Sequence, residues 1–254
     1  MNLEHLTIMV TRPRPEGEVL CQKIDAANGR AVYLPAIDIL PPDDIDIFKQ
    51  QIKQLDQYDW LIFISPQAVY QSVAAIKAVW RTFPATLRVA AIGHGTAEVL
   101  RKQHLPVNLY PESDWRSEGL LELPDFQQVK GKKIALLCGD KGRDFLQEQL
   151  ILRGALVTRV VAYRRCLPTM NLQKYIEILP NIDIIVCTSN EILQNLKQLF
   201  QESSWAFLQT IPVMVVSERM VSYANDLGFQ KIILANNASH DAIMSTLIEE
   251  KDLL

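Results

Sequence analysis

The sequence predicts an α/β protein made of two similar domains, each a parallel sheet covered by helices. Three observations carry this. Tyr58–Val69, YDWLIFISPQAV, reads as a buried strand that stops at a small-residue turn and opens a helix. A near copy returns at Ile182–Leu193, IDIIVCTSNEIL, so Ser189 stands 124 residues after Ser65, about half of the 254-residue chain. The surroundings repeat too: residues 6–35 echo 133–162, with Gly29 opposite Gly154, and residues 59–123 echo 183–247. Strand and helix patterns that alternate favour parallel sheets under helices, and a period this long excludes a solenoid.

Each element has its own signal. Leu6–Val10 is a short apolar strand ending at Thr11-Arg12-Pro13, and Val19, Leu20, Ile24 and Ala27 set a helical period over 17–27. Asn28-Gly29 ends that helix, and Ala31–Leu34 follows as a strand. Ala36–Leu40 is apolar but flanked by Pro35, Pro41 and Pro42, and reads as a stiff connector. Asp43, Asp44 and Asp46 open a helix to about Leu55, in keeping with the helix dipole. Leu61–Ile64 is a continuous apolar run, the mark of a strand buried on both faces. Ser65 and Pro66 fit the cap and first position of a helix reaching Val79.

Arg88–Ile92 is the next strand. Gly93-His94-Gly95-Thr96 reads as a loop into a helix over 97–102, Val107–Tyr110 as a short strand, and Leu120–Leu123 as a helix after Ser117-Glu118-Gly119. Ile134–Cys138, helix Phe145–Leu152 and strand Val157–Val161 follow, running into Ala162-Tyr163-Arg164-Arg165. The second round repeats the scheme: helix Leu172–Ile178, strand Asp183–Cys187, helix Asn190–Phe200, strand Val213–Val216, helix Arg219–Asp226, strand Lys231–Ala235 and helix Ala242–Glu249.

Composition narrows the class. A hydrophobic share of 48% with 22% charged residues belongs to a globular chain. The net charge of −3 gives no basic field for nucleic acid, though a local pocket can still take a polyanionic ligand. No apolar run reaches the roughly 20 residues of a membrane helix, and the N-terminal stretch MNLEHLTIMVTRP has no signal-peptide pattern. Cys21, Cys138, Cys166 and Cys187 are scattered without CxxC spacing, as expected of reduced cysteines in a cytoplasmic protein. No His, Cys or carboxylate cluster has metal-site spacing.

The chemistry-bearing residues gather at strand ends. Thr11, Ser65, Gly93–Thr96, Gly139–Gly142, Ser189 and Ser217 each precede a helix. Capping explains any one of them; their recurrence in both halves offers helix N-termini at the carboxyl edge of each sheet, where ligands of open α/β sheets bind. Gly93-His94-Gly95-Thr96 lacks the third glycine of a dinucleotide fingerprint, and no P-loop or GxSxG elbow exists. Arg12, Arg116, Lys141, Arg143, Arg164 and Arg165 lie at or near these ends and together can supply cation density. His94 reads as an exposed loop residue; His5, His104 and His240 carry no spacing argument. Tyr163 is either a packing aromatic or a phenol placed to donate a proton.

VTRP (10–13), FISPQAV (63–69), AIGHGTA (91–97), SEGLL (117–121), LLCGDKGRDFL (136–146), AYRR (162–165) and CTSNE (187–191), taken in order, resemble the motif succession of uroporphyrinogen-III synthases. Val215–Val221 departs from it, because Ser217 and Met220 replace the usual glycine and Thr-Ala. The resemblance implies two flavodoxin-like domains, the first formed by residues 1–36 and 168–254 and the second by 41–162. A two-segment hinge, 37–40 and 163–167, joins them. It also implies a cofactor-free, metal-free monomer that cyclises a linear tetrapyrrole, hydroxymethylbilane, in the interdomain cleft. Water is lost and ring D is inverted through a spiro intermediate. By this resemblance Tyr163 is the candidate acid. Substrate contacts fall to Thr11, Arg12, Ser65, Gly93, Thr96, Ser117, Glu118, Gly119, Arg143, Ser189 and Asn190. A non-catalytic two-domain sensor closing on a small polyanion, and a nucleotide-sugar transferase, are the competing readings.

Overall fold

The computed structural model describes residues 2–142, 144–200 and 202–251. In chain order the elements are β1 (Thr7–Val10), α1 (Glu16–Ala26), β2 (Arg30–Tyr33), β3 (Asp38–Leu40), α2 (Ile45–Lys53), β4 (Trp60–Phe63), α3 (Pro66–Val79), β5 (Arg88–Ala91), α4 (His94–Lys102), α5 (Ser117–Glu122), α6 (Pro124–Gln127), β6 (Lys133–Gly139), α7 (Phe145–Leu152) and β7 (Leu156–Cys166). Then come α8 (Gln173–Ile178), β8 (Ile184–Val186), α9 (Asn190–Leu199), α10 (Glu202–Leu208), β9 (Val213–Val215), α11 (Glu218–Asp226), β10 (Ile232–Leu234) and α12 (His240–Glu250). Leu55–Gln57 and Leu179–Asn181 are 3₁₀ turns leading into strands.

The chain divides into two compact units, Met1–Ile39 with Cys166–Leu254, and Leu40–Arg165. The first contains a five-stranded sheet in the order β10-β9-β8-β1-β2, with parallel pairing throughout. Its central strands β1, β8 and β9 are buried on both faces. Met9, Ile185, Val213 and Val215 pack on one side with α9 and α11 through Leu193, Leu196 and Met220. Ile8, Val10, Ile184 and Met214 pack on the other with α1 and α12 through Leu20, Ile24, Ile243 and Leu247. Each methylene so buried contributes about 0.8 kcal/mol, so the alternation of the strands is itself the core.

The second sheet runs β3-β7-β6-β4-β5, with β7, β6, β4 and β5 parallel. Ile62, Ala90, Ile134 and Leu136 meet Leu120, Leu121, Phe126, Leu146 and Leu150 from α5, α6 and α7. The duplication extends to strand order, since β7-β6-β4-β5 corresponds to β2-β1-β8-β9. The correspondence reaches a fifth position: Leu109 bridges Ala90 just as Ile233 pairs Met214.

Several expectations are corrected. Val107–Tyr110 forms only that single bridge, because the Asn108 side chain takes the Val89 N–H at 2.7 Å and occupies a ladder position. The stiff connector 36–40 ends in β3, and β7 extends well past Val161, so Tyr163, Arg164 and Arg165 lie within a strand. Helices α4, α5 and α12 begin at His94, Ser117 and His240, earlier than the apolar period indicates, so Gly95 and Thr96 form a first turn and not a loop. The left-handed residue ending α1 is Asn28 (φ 62°), whereas after α7 it is Gly154 (φ 84°), the counterpart of Gly29 and so one position later in the repeat.

Candidate functional site

A pocket of about 240 Å³ opens within the second unit, where β4, β6 and β7 end. Ser65, Ser117, Gly139, Lys141, Arg159, Tyr163 and Arg165 give it a polar wall, and Leu136, Cys138 and Leu146 line it with apolar groups. Tyr163 reaches it through an irregularity in the sheet. Cys138 pairs Val161, but Gly139 pairs Tyr163, so Ala162 is an extra residue on β7. Such a bulge re-aims the side chain that follows it. The Asp140 N–H donates to the Tyr163 carbonyl at 2.9 Å, and Asp140 Oδ1 accepts the Arg165 N–H at 3.1 Å, which closes the irregular register.

Ser65 caps α3: its Oγ accepts the Ala68 N–H at 3.1 Å. The same Oγ lies 3.2 Å from the Tyr163 Oη, within hydrogen-bond distance. Tyr163 is 5% exposed, so its phenol is held rather than free to swing in solvent.

Two arginines fix the loop after β6. Arg159 donates to the carbonyls of Gly139 and Asp140 at 3.2 and 3.3 Å and pairs with Asp144 at 2.6 Å. Arg165 donates to the Lys141 carbonyl at 2.6 Å. Their charge is thus spent partly on the loop, while Lys141 is exposed at the mouth. Burial pushes the Cys138 thiol up, against the opposing pull of Arg159, so it is a neutral lining group.

The other residues singled out from the sequence separate into two groups. In the second unit, Gly93 and Gly119 are buried, and a side chain has no room at either: a β-carbon would fall 2.5 Å from Trp115 Cβ at Gly93 and 2.0 Å from the Asp114 carbonyl oxygen at Gly119. Thr96 is 2% exposed, and Ser117 and Glu118 are half-buried in the first turn of α5. Ser65, Ser117 and Tyr163 therefore share the pocket, whereas Gly93, Thr96 and Gly119 shape the turns around it. Arg143 lies outside the described residues.

In the first unit, Thr11 is fully buried and its hydroxyl donates to the Val186 carbonyl at 2.6 Å, joining the ends of β1 and β8. Arg12 donates to the Ala238 carbonyl at 3.0 Å, holding the loop before α12. Ser189 repeats the Ser65 cap by accepting the Ile192 N–H at 3.2 Å, and Asn190 opens α9 half-buried. Ser217 starts α11 without a side-chain cap, and Met220 packs into the core. His240 ties α12 to α1 through Glu16 at 3.1 Å. Burial pushes the Cys187 thiol, which lies 3.7 Å from the Thr11 hydroxyl, up to about 12.

Arg159 escaped the sequence reading. Its signal was a charged residue inside the apolar run VTRVV, which an edge-facing side chain at a pocket explains. Among the described residues no group of three or more His, Cys, Asp or Glu is placed to hold a metal ion, and no helix is long and apolar enough to cross a membrane.

The family model described as "Uroporphyrinogen-III synthase HemD" matches residues 18–245. The chain belongs to the uroporphyrinogen-III synthase family. Its similarity to the uroporphyrinogen-III synthase of Escherichia coli (strain K12) is 32% identity over 252 residues, 95% of this chain and all of that protein. The Salmonella typhimurium synthase is also 32% identical, over 95% of this chain and all of its own length. A Thermus thermophilus uroporphyrinogen III synthase structure shares the fold with a TM-score of 0.64 at 17% identity, covering 98% of this chain and 99% of that one. The Helicobacter pylori uroporphyrinogen-III synthetase gives 0.59 at 14% identity, with the same coverage. The synthase family is one of cyclising enzymes, and the sensor reading finds no support in these matches.

Proposed function

We infer that this protein is an enzyme of tetrapyrrole and haem biosynthesis that closes hydroxymethylbilane to uroporphyrinogen III. The observation carrying this reading is the match to the synthase family along nearly the whole chain, at 32% identity to a relative covered from end to end. Loss of the terminal hydroxyl leaves a pyrrole-stabilised cation. Ring D then closes through its substituted carbon to a spiro intermediate, and fragmentation with reclosure turns that ring over. The substrate supplies the electronics, so the protein's task is orientation and exclusion of direct closure.

The phenol of Tyr163 is our candidate for the acid that protonates the departing hydroxide. Its support is a side chain aimed by a bulge into a polar pocket. Ser117, Ser189 and Asn190 are proposed to meet the acetate and propionate arms, with backbone N–H groups of the neighbouring helix starts, including the one that Ser65 caps. Thr11, Arg12, Gly93, Thr96, Glu118, Gly119 and Arg143 are proposed to support or border these contacts. We further propose a cytoplasmic monomer that uses no cofactor and binds no nucleic acid. Incubation with freshly made hydroxymethylbilane and separation of the isomers tests the activity. Isomer III is expected; isomer I alone, at the spontaneous rate, would sink the reading.

A further inference from the structure

We propose that Ser65 is a positioning residue for the acid step, holding the Tyr163 oxygen through the moment its proton leaves. The inference rests on the reading of Tyr163 as that acid. Three features of the structure carry it. Ser65 Oγ lies 3.2 Å from Tyr163 Oη. That same Oγ is immobilised by accepting the Ala68 N–H at 3.1 Å, at the start of a 14-residue helix. The ring itself is confined, because it lies against Gly139 with no room for a β-carbon between them.

The chemistry then follows from proton accounting. When the substrate C–O bond breaks, its electron pair leaves with oxygen, and the phenol proton joins that oxygen to form water. A phenolate remains on Tyr163. The Ser65 hydroxyl, whose proton turns about the Cβ–Oγ bond, donates to that phenolate, and a hydrogen bond to a charged oxygen is stronger than one to a neutral phenol. The stabilisation therefore appears mainly as the transition state forms, the condition for raising kcat rather than lowering KM. The proton returns to the phenolate when the closing pyrrole carbon regains aromaticity. The N–H of Ala68 adds to the effect, since a hydroxyl already accepting a hydrogen bond is a better-oriented donor.

A double-mutant cycle on the intact enzyme tests this: S65A, Y163F, and both together, with kcat, KM, the pH profile and thermal midpoint for each. Loss of a hydrogen bond to a charged group predicts that S65A lowers kcat about tenfold with little change in KM. In the Y163F background S65A should cost nothing further in kcat. S65A should also move the alkaline limb of the kcat profile to higher pH, because an unsupported phenolate is harder to form. S65T, which keeps hydroxyl and cap, should restore both. An equal kcat loss from S65A with and without the phenol, or a lower thermal midpoint with unchanged kcat, would reduce Ser65 to a helix cap and overturn the inference. An unchanged kcat in Y163F would instead remove Tyr163 as the acid, and the inference with it.

Discussion

Gly139 lies against the phenolic end of the Tyr163 ring: a β-carbon built on it would fall 2.9 Å from Cε2 and Cζ and 3.1 Å from the phenolic oxygen. Backbone on one strand and an aromatic side chain on the next thus share a single layer of space. Gly139→Ala must push the ring outward, because overpacking of this kind costs about 1–3 kcal/mol. We expect a lower denaturation midpoint together with a loss of kcat. The kcat loss should vanish when Gly139→Ala is made in a Tyr163→Phe background.

Removal of the phenol alone is the sharper measurement. Tyr163→Phe keeps the ring that fills the space beside Gly139, so folding should be little changed. Turnover should fall about a hundredfold, the lower end of the range for loss of a general acid, with KM nearly constant. Steady-state kinetics on isomer III formation reads both values.

Thr11 poses the opposite case. Its hydroxyl is buried and joins β1 to β8 through the Val186 carbonyl. Thr11→Val leaves that carbonyl without its partner at nearly constant volume, at a cost of about 1–3 kcal/mol. A fall in the urea midpoint with unchanged KM is expected; a raised KM with unchanged stability would mean that Thr11 meets substrate directly.

The two serine caps allow a comparison between the halves. Ser65 and Ser189 accept N–H groups at 3.1 and 3.2 Å from the third residue along. Ser189→Ala should lower stability by about 1 kcal/mol, the usual worth of such a cap. Differential scanning calorimetry should place that loss in the first unit, leaving the melting of the second unaltered.

Alkaline pH should loosen the first unit. Burial raises Cys187 from 9.0 to about 12, Cys21 from 9.0 to about 11 and Tyr33 from 10.0 to about 12. Each raised value means that the folded chain keeps a proton which the unfolded chain gives up. The stabilisation is complete below the unfolded values and is lost as pH climbs toward the folded ones. Urea midpoints should therefore fall from about pH 9 toward about pH 12, and Cys187→Ala should make that fall shallower.

The repeat could be read because each strand-to-helix turn needs the same residue types. Ser65-Pro66 and Ser189-Asn190 announce capped helices, and apolar runs such as Leu61–Phe63 announce strands buried on both faces. What stayed hidden depended on neighbours distant in sequence. The length of β7 is set by its partners β6 and β3, and Asn108 displaces a strand only because Val89 is beside it. The short α6 and α10 hold too few turns to display a period. At the site, Ser65 and Tyr163 were each legible as candidates, but the contact between them was not. It depends on a one-residue bulge at Ala162, for which local sequence carries no mark.

The sheet of the first unit draws β1 and β2 from the beginning of the chain and β8, β9 and β10 from near its end. On the ribosome, its opening strands must therefore wait while every residue of the second unit is synthesised, and Ile8 finds Ile184 only afterwards. The second unit, drawn from one uninterrupted stretch, can mature as it emerges. Birth order within this molecule is the reverse of numbering, and the early βαβ unit of β1, α1 and β2 is the part that a nascent-chain chaperone would have to shield.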